Sequence, residues 1–459
     1  MFAIPGIAAL MVFILVRPQE FVPLLQRVPF LHLFTALAIL GWVIDVRLRR
    51  LTPVGVPTLG WVVALIVWAL VGTAAVAPDQ LMARIVDLLI LFALYGVIAH
   101  GVQRFRTFQV VAGVLATACM FITIVCWHQG LSPMQCVGGA ESEGDIMGQP
   151  DGRLCESNEV CRGPDAEPGF EYRCEHVGMF GTYSVEGRVR YRGDLHDPNE
   201  IALAISAGCL SLMIGFAMRK RQPLQIAFFG TCAVITFWTI FMTQSRGGLI
   251  AGMLVPGVYL VKKYGVKILI PALAVALPVL LLGGRSGEAA DLSTSMRYEA
   301  WATGLGMFHA SPLFGVGAKL FTRHHFLTAH NSYVLAFTEL GLPGFICFIG
   351  IIYLSMKTLI VGLREVDQEP GAEVARTWGM SLLASFAGVL FQINTLSFTY
   401  HPVLWIFWGL IGAWCGAIRH HKPSFNVTMT WRDFGIVVFI SCAYVFVILP
   451  IFLKAKGFL

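Results

Sequence analysis

The sequence predicts an all-α polytopic membrane protein of about 12–13 transmembrane helices, with two large segments outside the bilayer. Three observations carry that prediction. Of 459 residues, 56% are hydrophobic and 13% charged, and the mean hydropathy is +0.72. A soluble domain carries roughly a quarter charged residues, so a soluble core could not absorb this much apolar surface. The apolar residues fall in runs close to the ~20 residues that a spanning helix needs. Short basic clusters separate the runs and alternate from side to side, as membrane orientation requires. The net charge of +6 is scattered over those clusters. A nucleic-acid partner would want it concentrated on one face.

In chain order the runs cover 2–16, 29–46, 56–77, 82–100, 108–128, 199–218, 223–243, 247–261, 268–283, 332–356, 377–396, 402–418 and 434–453. The first lacks a basic start and a small-residue cleavage site, so it reads as a retained helix and not a signal peptide. Basic residues close alternate runs: Arg47, Arg49 and Arg50; Arg104 and Arg106; Arg219, Lys220 and Arg221; Lys262, Lys263 and Lys267; Lys357 and Arg364; Arg419 and Lys422. That alternation puts the N-terminus in the cytoplasm. The C-terminus, with Lys454 and Lys456, comes out on the other side, mildly against the rule. The expected organisation is 1–128 membrane helices, 129–196 an outer segment, 197–283 helices, 284–331 a second outer segment and 332–459 helices.

The first outer segment holds twelve acidic residues, six Arg and no Lys. It also holds Cys136, Cys155, Cys161 and Cys174, while the other seven cysteines lie in apolar runs. Four cysteines in one polar segment predict two disulfides and an oxidising compartment such as a periplasm. A zinc site is the alternative, but the tight C-x-x-C pairs that zinc favours are missing. The second outer segment carries Arg285, Arg297, Lys319, Arg323, His309, His324, His325 and His330. No stretch outside these two segments concentrates ionisable side chains this way, so chemistry is expected on the outer face.

Individual residues have both a plain and a functional reading. Arg246, in Thr243-Gln-Ser-Arg-Gly-Gly248, is either a helix-end anchor or a cation facing a lipid-linked anion, with the glycines letting the ligand reach the backbone. Arg297, with Tyr298 and Trp301, fits an amphipathic helix at the membrane interface. Gly315-Val-Gly317 is a turn; no strand precedes it to make a phosphate loop. His330 opens an apolar helix, whose dipole favours the neutral imidazole that a general base needs. A metal site from His324, His325 and His330 is the other option. Arg188, Arg190 and Arg192 alternate and would share one face of an extended segment, reading a phosphate or pairing with nearby carboxylates.

Several of these pieces, in this order, resemble the O-antigen ligase superfamily of bacterial inner-membrane proteins. They are Asp197-Pro-Asn-Glu-Ile-Ala202, Gln244-Ser-Arg-Gly-Gly248, Arg297-x-x-x-Trp301, Ser311-Pro-Leu-Phe-Gly-Val-Gly317, Ala329-His-Asn-Ser-Tyr333 and Glu339-Leu-Gly-Leu-Pro-Gly344. The resemblance covers roughly residues 195–420 and leaves the acidic segment 129–196 unassigned. It implies transfer of a glycan from undecaprenyl diphosphate to an acceptor hydroxyl at the periplasmic face of the inner membrane, with inversion and without metal, nucleotide sugar or other cofactor. Under it, Arg246, Arg297, Arg323 and Arg192 are expected at the diphosphate and His330 as the base. Asn331, Trp301 and Glu339 are expected in support. The acceptor can be lipid A core, another lipid-linked repeat (a polymerase) or a protein hydroxyl. A transporter or flippase is the reading from another class. It requires ionisable residues inside the spans, and Arg84 and Asp87 are the main examples.

Overall fold

The computed structural model describes residues 1–459 other than 53–54, 143–144, 164–165, 167–170, 221 and 285–286. Arg221 and Arg285 therefore lie outside the described residues. Every predicted span forms a helix: α1 (Ala3–Leu15), α2 (Phe30–Arg47), α3 (Leu59–Val76), α4 (Leu81–Gly101), α5 (Phe105–Leu131), α6 (Pro198–Arg219), α7 (Pro223–Met242), α8 (Arg246–Tyr264) and α9 (Leu269–Gly283). An additional helix, α10 (Glu288–Ala310), precedes α11 (Ser332–Asp367), α12 (Glu373–Gln392), α13 (Pro402–His421) and α14 (Trp431–Ala455). Among the described residues, eleven helices are long and apolar enough to cross a membrane. The two predicted spans that fall short are α1, with 13 residues, and α8, which has Arg246 at its start and Lys262 and Lys263 in its last turn.

The chain divides into two compact units, one of residues 1–11, 29–114 and 285–459, the other of 12–28 and 115–284. In the first, small residues bring helices together, because lipid removes the hydrophobic drive between them and leaves van der Waals contact. A Cβ on Gly409 or Gly412 would stand 2.9 Å from atoms of Ile98 or Ala99, so α13 lies directly on α4. Trp378, Trp405, Trp408 and Trp414 fill the interior. The Trp414 indole donates to the Ala375 carbonyl at 2.9 Å.

A break in α11 shapes the rest of this unit. Gly341 takes φ 64°, ψ −174°, and Pro343 follows, so the carbonyls of Thr338, Glu339 and Leu340 lose their helical donors. All three find others. Val316 N–H donates to Thr338 O at 3.0 Å, Gly317 N–H to Glu339 O at 3.0 Å, and the Trp68 indole to Leu340 O at 2.9 Å. Leu342 N–H in turn donates to Pro312 O at 2.8 Å. The segment 311–317 is thus zipped onto the helix break. Gly315 (φ 66°) is the residue that permits it: a Cβ there would lie 2.4 Å from the backbone of Thr338 and Glu339.

In the second unit, α6 carries a π turn at Ser206–Leu210, and a Cβ on Gly208 would sit 2.6 Å from Cys119 Sγ of α5. The acidic segment holds strands that the sequence reading did not anticipate: β1 (Met134–Ser142), β2 (Asp145–Leu154) and β3 (Glu171–His176), antiparallel in the order β2-β1-β3. Glycine-rich β1 shows no apolar alternation, which hid it. The four cysteines form Cys136–Cys161 and Cys155–Cys174 disulfides, with Cα separations of 5.4 and 5.9 Å. Together with Tyr172 they are the core of this module, which is too small to be held by apolar burial alone. The seven other cysteines are free thiols. Maleimide added to the denatured, unreduced protein is expected to label seven of the eleven cysteines, and prior reduction to label all of them. Intact-mass measurement reads the difference; eleven labels without reductant would rule out both bonds.

Candidate functional site

In the first unit the candidate site is built around the start of α11. Asn331 is the helix cap: its Oδ1 accepts from Tyr333 N–H at 2.9 Å and Val334 N–H at 3.2 Å. His330 was expected to open the helix. It stands one residue before the cap, in a left-handed conformation with φ 44°. Few residue types other than glycine tolerate that region, and histidine is among them. Immediately before it, the Ala329 carbonyl accepts the Trp301 indole N–H at 2.7 Å. After it, Ser332 N–H donates to Ile393 O at 2.8 Å and the Ser332 hydroxyl to Leu396 O at 2.6 Å. The histidine backbone is therefore pinned on both sides while its side chain is only half-buried. Trp301 and Arg297 lie one turn apart on α10, so they share a helix face, the face that touches the segment next to His330.

Glu339 is buried at 1% exposure. Its Oε2 accepts Lys319 N–H at 2.8 Å and its Oε1 accepts Phe321 N–H at 2.9 Å. Its carboxylate thereby organises the loop that carries the cations and histidines. Glu339→Ala leaves those two N–H groups without an acceptor, at about 1–3 kcal/mol each. The expected result is a clear drop in thermal unfolding midpoint of the detergent-solubilised protein, and an unchanged midpoint would deny Glu339 this role. Nearby Tyr400 has its phenol pushed well above the ordinary value by burial and then by the Glu339 carboxylate, so it stays protonated.

The loop cations reach back to α4. Lys319 Nζ lies 3.0 Å from Asp87 Oδ2, which Arg84 also contacts at 2.8 Å. Arg323 is 3.4 Å from Asp79, with about half of its side chain exposed. Such an exposed pair is screened by solvent and yields readily to a stronger anion. Arg84 and Asp87 stand in the first two turns of α4, at the end where this loop attaches. His325 Nδ1 is held by the backbone of Leu327, at 2.9 Å from its O and 3.1 Å from its N. Among the described residues, the group with metal-ligand spacing is Cys136, Cys155 and Cys161, all three in disulfides.

In the second unit, Arg246 is the first residue of α8 and is exposed, its side chain lying across Gly284. Ser245 caps that helix, its Oγ accepting Gly248 N–H at 3.0 Å. Under the ligand-facing reading of Arg246, Gly248 admits a ligand to the backbone. It admits a helix instead: a Cβ there would be 2.3 Å from Ala202 Cβ, so α8 and α6 touch near their N-termini. Arg188 joins the same two ends, its Nε donating to Thr243 O at 3.0 Å and its Nη2 reaching Asn199 Oδ1 at 3.5 Å. At the start of α6 the Asp197 carboxylate caps the helix, accepting Asn199 N–H at 2.6 Å.

The three alternating arginines have different partners. Arg190 is buried, with Nε donating to Tyr183 O at 3.1 Å and its guanidinium 4.6 Å from the Tyr183 ring centre. Arg192 donates to the carbonyls of Glu20, at 3.3 Å, and Phe180. Backbone carbonyls thus occupy part of the guanidinium that was expected to read phosphate. Arg17, just after α1, is held by two carboxylates. Its guanidinium meets Glu20 at 2.8 Å and Asp194 at 2.5 Å. Burial acts against its charge, but the two carboxylates outweigh burial and hold its pKa above the ordinary value.

Residues 231–349 match a family model described as O-antigen ligase, which places this part of the chain in the O-antigen ligase superfamily. The matched stretch contains Arg246, Arg297, Trp301, Arg323, His330, Asn331 and Glu339, and leaves out Arg192. No curated protein matches the chain.

Proposed function

From that family placement we infer that the chain is a membrane glycosyltransferase that moves a glycan from undecaprenyl diphosphate to an acceptor hydroxyl at the periplasmic face. The observation that carries the reading is the His330 segment, inside the matched stretch, pinned on both sides and half-buried. In the proposed step the acceptor oxygen attacks the anomeric carbon and His330 takes its proton. The bond from that carbon to the diphosphate oxygen breaks, and undecaprenyl diphosphate leaves with the electron pair. Attack opposite the leaving group inverts the anomeric carbon. Arg246, Arg297 and Arg323 stabilise the charge that develops on the diphosphate, and a guanidinium does so through two parallel hydrogen bonds. Arg192 takes a phosphate only by giving up backbone carbonyls.

Arg84 and Asp87, the charges a transporter would use, are tied to each other and to Lys319 at a helix end, which favours the enzyme. Among acceptors we favour lipid A core, with a polymerase or protein transferase as the alternatives. The deciding experiment is to analyse the lipid-linked glycans of a deletion strain. Long chains accumulating on undecaprenyl diphosphate point to a lost ligase. Core capped by a single repeat points to a lost polymerase. A wild-type profile of both, with unglycosylated target protein, points to the protein acceptor; a profile unchanged in every fraction overturns the transferase reading.

A further inference from the structure

The last helix, α14, lies beyond the matched stretch, yet it touches the candidate site at two places. Near its middle the helix carries a π turn, Tyr444–Ile448. Such turns are rare, interrupt the regular ladder and recur at functional sites. The Tyr444 hydroxyl accepts from Asn331 Nδ2 at 3.3 Å. Its ring is wedged among Tyr333, Phe337 and Phe345 at centroid distances of 5.9, 6.4 and 5.9 Å. Two turns further on, Phe452 meets Tyr298 at 5.3 Å and Trp301 at 5.9 Å, and Phe458 meets Tyr298 at 5.7 Å.

Both contacts bear on His330. Asn331, which follows it, uses Oδ1 for the helix cap, so the only freedom left to its carboxamide is the direction of Nδ2, and Tyr444 sets that. Trp301 holds the carbonyl before His330, and Phe452 backs Trp301. We propose that α14 is a template for the catalytic segment and that Tyr444 is a positioning residue for His330, acting through Asn331. The proposal rests on the transferase reading above for its catalytic consequence. Its structural consequence stands without that reading. A left-handed histidine reverts readily to an ordinary backbone conformation unless its neighbours over-determine it. The cap and its tyrosine supply that constraint on one side, and the indole supplies it on the other.

Tyr444→Phe keeps the aromatic wedge and removes one hydrogen bond. In full-length protein in nanodiscs, the backbone amides of Tyr333 and Val334 are then expected to exchange hydrogen about fivefold faster, the worth of one such bond. With undecaprenyl-diphosphate-linked glycan extracted from the producing strain as donor, kcat is expected to fall about fivefold, with KM for the donor unchanged. Combining Tyr444→Phe with Asn331→Ala should cost no more than Asn331→Ala alone, because the tyrosine acts through that side chain. Unchanged exchange, an unchanged kcat, or additive losses in the double variant would each overturn the proposal. A wild-type protein that transfers nothing sinks the transferase reading, and the exchange measurement still decides whether Tyr444 constrains the segment.

Discussion

His330→Asn is expected to lower glycan transfer by about a hundredfold to ten-thousandfold, the range for loss of a positioned general base, while binding of the lipid-linked donor persists. Asparagine is the informative replacement. His330 has φ 44°, a region that asparagine adopts at little cost and alanine does not. His330→Ala removes the imidazole and strains the backbone together, so an activity loss in alanine alone would be ambiguous. His324→Ala and His325→Ala are expected to retain most activity, since His325 is held by Leu327 and His324 is exposed. Transfer assays paired with donor binding to the same nanodiscs read the separation. An active His330→Asn enzyme removes the base from this position. Inhibition by a chelator, reversed by zinc, would replace it with a metal site.

Arg246→Lys and Arg297→Lys should each lower transfer by on the order of a hundredfold, although both keep the charge. Lysine is a point charge and cannot present two parallel N–H donors to a phosphate. The loss should appear chiefly in kcat, because charge on the departing diphosphate develops in the transition state. Folding should be little affected at Arg246, which is exposed. Wild-type kcat in both lysine variants would take these residues out of the mechanism.

The membrane architecture was legible in the sequence because it is set by local composition. Apolar run length and charge scarcity located every helix that the structure places in the spans, since a chain in lipid must satisfy its backbone within each helix. The cysteines were legible as disulfides for a similar reason: four of them crowd into one polar stretch. Their pairing was not, because Cys136 lies opposite Cys174 in the sheet yet bonds to Cys161.

What tertiary structure alone decided was how particular residues are used. Gly248 looked like an opening for a ligand, but a neighbouring helix fills the space where its Cβ would stand. Glu339 looked like a catalytic accessory, but its two oxygens hold the backbone of a loop that lies 18 and 20 residues earlier in the chain. Arg188 and Arg192 differ little by sequence, yet one bridges two helix starts and the other reaches the carbonyls of Glu20 and Phe180. Tyr444 gave no signal at all within an apolar run. Helix formation and membrane insertion follow from neighbours along the chain, and so composition predicts them. A hydrogen bond between Asn331 and a residue 113 positions away depends on packing at a distance, and no local pattern records it.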